Sequence, residues 1–386
     1  MAVDADYLRD VADVVLRTLH VVAGIAWIGA SFYFIRLDLG LRPPEDPEDA
    51  ARGVGGEYWG VHGGGFYHSQ KYRVAPPRLP EHLHWFKWEA YTTWLSGFGL
   101  LLVLYWLDAE TRLVDPAVAD LSAWRAVALS AAGLALAWAA YDAACRVLRD
   151  DRLVGAATAA LVVASAWGAS ELFAPRAAFL QVGAMLGTIM AANVFFTIIP
   201  AHWELVRAKE EGREPDPEPG LRAKQRSVHN NYLTLPVVFT MLAGHFPIVF
   251  GAERPWLVLL AIFVVVAAIR HFFNRWHLGR REWWIPAAAG VAALALVVVL
   301  APEDTPATAT APTDEAALAI VTERCATCHA GVSAPNGVRL ESLALLEQHA
   351  SAIERQVASR SMPPGNATGM TDAEREQLVA WAAAAG

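Results

Sequence analysis

Eight runs of about 20 mostly apolar residues divide this chain of 386 residues, and each is long enough to cross a hydrocarbon layer as a helix. They lie at roughly 12–35, 86–107, 123–142, 153–172, 178–201, 229–250, 256–272 and 283–301. A backbone in lipid must satisfy its own hydrogen bonds, which confines such runs to helices. Composition agrees: hydrophobic residues make up 55% and charged residues only 18%, against about a quarter in soluble domains. The expected fold class is all-α, with a polytopic membrane bundle over residues 1–301, a flexible Pro-, Ala- and Thr-rich linker over 302–315 and a small domain over 316–386.

Lys and Arg set the expected orientation. Loops 36–87, 142–152, 202–228 and 270–282 hold about twenty of them and the alternate segments about five, which places the first set in the cytoplasm and both termini outside. The start of the chain has no basic leader region, so its apolar run reads as a first span rather than a cleaved signal. Many of the 15 Trp sit near span ends, where aromatic belts form against membrane lipid. A net charge of −8 argues against nucleic acid as a partner.

Cysteine usage points elsewhere. Three cysteines are too few for a disulfide scaffold, and Cys145 reads as an ordinary small apolar residue. Residues 325–329 read Cys-Ala-Thr-Cys-His, the attachment pattern of a c-type haem. Cys325 and Cys328 suit two thioether bonds, and His329 suits the iron as proximal ligand. Zinc is the rival for such a spacing, but it needs further ligands nearby and no second Cys pair follows. Met362, in Met-Pro-Pro-Gly, is the expected sixth ligand, with Met370 as its rival; a Met and His pair raises the haem potential. The small domain is thus expected to be a cytochrome c domain, outside the membrane, with an amphipathic tail over 371–385 covering the haem. Six-coordinate iron binds no substrate, so the reacting molecule must be handled elsewhere.

Two polar regions of the membrane part are candidates. The segment 57–87 is aromatic, basic and glycine-rich. Gln70, Lys71 and Arg73 suit an anionic heterocycle, and His68 suits proton transfer, with His84 and Glu89 completing the proposed catalytic group. The alternative is an interfacial segment docked on lipid headgroups. A second cluster joins Asn193, His202, Glu204, His229, Asn230 and Asn231, with His84 and His271 at similar depth. On the outer side, His20 and His245 are candidate ligands of a b-type haem, with Arg17 one turn from His20; ordinary hydrogen-bonded interior histidines are the alternative.

Together these stretches resemble a known family. HVVAGIAWIGASFYF (20–34), VHGGGFYHSQKY (61–72), LPEHLHWFKWEAYTTWLSGF (79–98) and MPPGNATGMT (362–371) are similar to the membrane-bound cytochrome c urate oxidase, or urate hydroxylase, family. The resemblance implies an eight-span membrane domain fused to a C-terminal cytochrome c domain. It implies oxidation of urate to 5-hydroxyisourate with water, electrons passing to haem c rather than to dioxygen and onward to a soluble cytochrome c or terminal oxidase. It also implies a bacterial inner membrane with the cytochrome c domain in the periplasm. A quinol–cytochrome c electron-transfer module and a membrane anchor for a haem sensor are the competing functions; eight spans with buried polar groups count against the anchor, and the cationic segment against the quinone.

Overall fold

Helices form almost all the regular structure, as the apolar runs require. The structure is a computed structural model that describes residues 5–148, 150–301, 311–331, 334 and 337–385; most of the expected linker lies outside them. Helices occupy all eight apolar regions: α1 Ala5–Gly40, α2 Trp88–Leu101, α3 Ala123–Val147, α4 Asp151–Leu172, α5 Pro175–Asn193, α6 Pro217–Ala243, α7 Pro255–His277 and α8 Trp284–Val299. A π turn carries α2 on to Trp106, and another carries α5 into a further helical stretch, Ile199–Glu210.

Among the described residues, five helical segments are long and apolar enough to cross a membrane: Tyr7–Gly40, Ala123–Val147, Asp151–Leu172, Pro175–Glu210 and Pro255–His277. The other three expected spans are helical but fall short of that measure for local reasons. α2 carries Glu89, Thr92, Thr93 and Ser96. α6 spends its first half on Arg222, Lys224, Arg226 and two asparagines. α8 has only 16 residues.

The chain forms two compact units. The first comprises Met1–Leu100, Leu186–Val237 and Phe263–Val291. It contains a feature that the expectation of helices alone did not include: β1 (Val54–His62) and β2 (Gly65–Tyr72) form an antiparallel hairpin, pairing Glu57 with Gln70 and Trp59 with His68. The turn residues Gly63 and Gly64 take φ of 58° and 82°, a left-handed pair that side chains resist and that matches the twist of the strands. Tertiary pairing thus overrides the loop reading of this glycine-rich stretch.

The second unit comprises Leu101–Met185, Val238–Ile262 and Ala292–Gly386. α3 and α4 pack against each other. α3 buries Ala126, Ser130, Leu134, Ala137 and Tyr141, one stripe at helical spacing. Ser130 donates to Gln181 Oε1 at 2.7 Å and accepts from Trp106 Nε1 at 3.0 Å, which satisfies polar groups where water is scarce.

The C-terminal helices α9 (Asp314–Arg324), α10 (Leu343–Gln348), α11 (Ala350–Ala358) and α12 (Asp372–Ala385) close around their own core of Val321, Leu346, Ile353, Met370, Leu378 and Trp381. They do not stand apart from the rest of this unit. The turn Ala109–Arg112 packs on Pro364–Asn366, and Pro247–Phe250 packs on α11. At Gly251 even a single Cβ would collide with Ser359, coming within 2.7 Å of its Cα.

Candidate haem motif and substrate site

The haem motif is built at the junction of α9 and a short helical turn, Ala326–His329. His329 Nδ1 lies 2.9 Å from the carbonyl oxygen of Val338. A carbonyl only accepts, so Nδ1 carries the proton and donates, and Nε2 is left with its lone pair. Ligating imidazoles are held in this way by their second nitrogen. Burial pushes the Cys325 thiol up to about 11, whereas Cys328 is exposed.

The two candidate methionines separate cleanly. Met370 is packed into the core at 2% exposure, while Met362 is only half-buried on its Pro-stiffened loop. Arg375 of α12 holds that loop, donating to the Met362 carbonyl at 2.8 Å and to Asn366 Oδ1 at 2.9 Å. Its buried Nε has no partner among the described residues and acts electrostatically on Cys325. That donor suits an anionic edge such as a haem propionate. Among the described residues, no group of three or more His, Cys, Asp and Glu side chains gathers as a metal site. The residues present fit a c-type haem.

The hairpin brings together the first polar candidates. His68 Nε2 meets Glu57 Oε2 at 2.8 Å, and the imidazole stacks on Trp59 at 4.1 Å between centroids. Gln70 donates to Asp49 Oδ2 at 2.5 Å. Lys71 pairs with Asp38, which Lys224 also reaches at 3.2 Å. Arg73 is exposed and closes the hairpin through its backbone N–H to Gly53. Among the described residues, no hydrogen bond, ion pair or ring contact joins this group to His84 or Glu89. His84 is exposed and meets Phe86 edge-on; Glu89 Oε2 is buried and has no partner among the described residues.

The second cluster is partly assembled. Asn193 Nδ2 donates to Asn230 Oδ1 at 2.9 Å, Asn230 donates to the Met190 carbonyl at 3.0 Å, and Arg226 reaches Asn193 at 3.3 Å. Asn231, next along α6, turns instead to α7, where its Oδ1 accepts from Arg270 Nε at 3.0 Å and from Asn274 Nδ2 at 2.9 Å. Tyr232 Oη lies 2.7 Å from His271 Nδ1. Glu204 turns away to a surface fork with Arg213, which raises the guanidinium's affinity for its proton. Arg226, Arg270 and Asn274 were missing from the sequence-based candidates. Their signal was faint: cations close to a span end read as snorkelling loop charge until the fold buries them.

His20 Nδ1 lies 2.9 Å from the Thr93 carbonyl and 3.2 Å from Ser96 Oγ. Its ring presses on Gly97, where an added Cβ would stand 2.7 Å from Cε1. Arg17 forms a fork with Asp13 at 2.8–2.9 Å. His245 belongs to the other compact unit and is exposed on the turn after α6.

A family model described as Urate oxidase N-terminal matches residues 6–301, more than half of the chain. The chain belongs to this urate oxidase family. The match spans α1 to α8 and both polar regions, and it stops before α9. No curated protein and no solved structure matches the chain. The matched residues include Asn231 and Arg270, and Cys-Ala-Thr-Cys-His at 325–329 follows them in the sequence.

Proposed function

We propose that this chain oxidises urate to 5-hydroxyisourate and passes the electrons to a haem c on the same polypeptide. The observation that carries the reading is the urate oxidase family match across residues 6–301, joined in one chain to Cys-Ala-Thr-Cys-His at 325–329. The reaction takes one oxygen from water and releases two protons and two electrons. Bound at Cys325, Cys328, His329 and Met362, haem c supplies a one-electron acceptor, so it turns over twice for each urate.

The chain's own residues do the rest. His329 keeps its tautomer through Val338, and Arg375 holds the Met362 loop in place. His68, braced by Glu57 at Nε2, moves a proton at Nδ1. Lys71 and Arg73 add positive charge that draws in a monoanion. His20, which donates from Nδ1 to Thr93, is proposed as a ligand of a b-type haem in the membrane part; a haemochrome spectrum with only c-type haem would remove that proposal. The packing of the C-terminal helices on turns 109–112 and 247–250 supports a periplasmic haem domain on a multi-pass protein of the bacterial inner membrane. From there electrons leave to a soluble cytochrome c or a terminal oxidase.

The test is direct. Urate is added to the purified protein without oxygen while the haem c absorbance is followed. Prompt reduction is the expected result. Haem that stays oxidised, or is reduced only by quinol analogues, would overturn the reading.

A further inference from the structure

The facing sides of α6 and α7 hold a set of buried polar groups with unused hydrogen-bonding capacity. Arg270 is 4% exposed, Asn231 is fully buried and Asn274 is 8% exposed. All three are buried, and an unsatisfied buried polar atom is costly. Yet among the described residues Arg270 Nη2, Asn231 Nδ2 and Asn274 Oδ1 each lack a partner. No carboxylate pairs with Arg270 among the described residues. Its guanidinium lies over the ring of Phe32 from α1, 4.0 Å from the centroid.

These three atoms have a definite chemistry. Two are donors and one is an acceptor, the complement of an imide edge reading C=O, N–H, C=O. The uncompensated guanidinium asks for a negative charge, and planar groups suit a flat ring. Asn231 Oδ1, which accepts from both Arg270 and Asn274, locks these neighbours so that their remaining atoms stay available. A core device that needed only fold stability would have used these atoms within the protein.

We infer that Asn231, Arg270 and Asn274, backed by Phe32, bind a planar anionic heterocycle with an imide edge. The inference rests on the urate reading and names the seat of that substrate. Arg270 supplies the counter-charge, Asn231 a second donor, and Asn274 the acceptor for the ring N–H. The hairpin cations Lys71 and Arg73, being exposed, gather the anion without holding it.

The test uses the full-length protein in nanodiscs, with thermal unfolding measured with and without urate and with xanthine, which shares the imide edge. Urate-driven haem reduction is measured alongside. Wild type should be stabilised by both ligands. Arg270→Gln should lose that stabilisation and raise KM for urate by about tenfold to a hundredfold, the range for a buried charged hydrogen bond. Asn274→Asp guards against a folding artefact. It loses the hydrogen bond to Asn231 Oδ1 but sets a carboxylate beside Arg270, so the ligand-free protein should still unfold in one cooperative transition, yet it should repel the anion and lose the ligand shift. A purely structural role for Arg270 would leave the ligand shift of Asn274→Asp intact. If wild type responds to urate and both variants respond equally well, the site is wrong and the urate reading survives. If wild type neither binds urate nor reduces its haem with it, the urate reading falls and takes this site with it.

Discussion

His329 and the backbone of Val338 meet through a single 2.9 Å hydrogen bond, and that bond decides which imidazole nitrogen faces outward. Met362 is the proposed methionine ligand, half-buried on its loop, whereas Met370 is packed in the core. Met362→Ala should keep the haem covalently attached through Cys325 and Cys328. Its midpoint potential should fall by roughly 100 mV or more, since axial ligands tune haem over about 0.8 V. Redox titration checks this. An unchanged potential would assign the ligand elsewhere.

Thr371 and Glu374 form a capping box at the start of α12. Glu374 N–H donates to Thr371 Oγ1 at 3.2 Å, and Glu374 Oε2 accepts from the Thr371 N–H at 2.7 Å, while Arg324 reaches Oε1 at 3.0 Å. Burial works against ionisation of Glu374, but these hydrogen bonds outweigh it and leave the carboxyl below its usual range. A depressed folded-state value means stability that is present above the unfolded value of about 4.3 and is lost as pH falls through the folded one. Glu374→Gln should therefore destabilise the C-terminal helices by about 1 kcal/mol at pH 7, and the difference should be smaller at an acidic pH below the unfolded value. Denaturation of variant and wild type at both pH values provides the comparison.

Gly251 lies against Ser359, and this approach couples the C-terminal helices to the turn after Pro247–Phe250. Gly251→Leu should push that contact apart without touching either polar site. Urate-driven haem reduction should slow about tenfold or more, in line with the sensitivity of catalysis to small displacements. Reduction by a small chemical reductant should be unchanged. Equal rates for urate in variant and wild type would show that this packing does not govern electron transfer.

Lys71 and Asp38 form an exposed pair that Lys224 can sustain alone. Lys71→Ala should therefore cost less than about 1 kcal/mol of stability. Its effect on urate should be a rise in KM of only about twofold to fivefold, fading with added salt as a steering effect does. A large, salt-independent loss would make Lys71 a direct contact.

What could be read along the chain was whatever one short stretch decides by itself. Apolar runs near 20 residues must be helical in lipid, so α1 to α8 were legible, and the same holds for two thiols and an imidazole spaced on one turn. The hairpin was less so. Its Gly63–Gly64 turn is a local signal, but strands that mix aromatic and polar residues on both faces hide their alternation. Even where helices were expected, the sequence overstated the spans that pass by length and hydropathy, because α6 mixes its apolar half with buried Arg226, Asn230 and Asn231.

The sequence by itself determined that this chain must place long helices in an apolar layer and carry a haem-attachment motif near its end, because both follow from near neighbours. Only the tertiary structure decided which polar groups meet. Asn231 finds Arg270 and Asn274 at separations of 39 and 43 residues, and His68 finds Glu57 across a strand pair. Such contacts depend on how helices and strands pack, and on which donors and acceptors that packing leaves without partners, so no local pattern announces them.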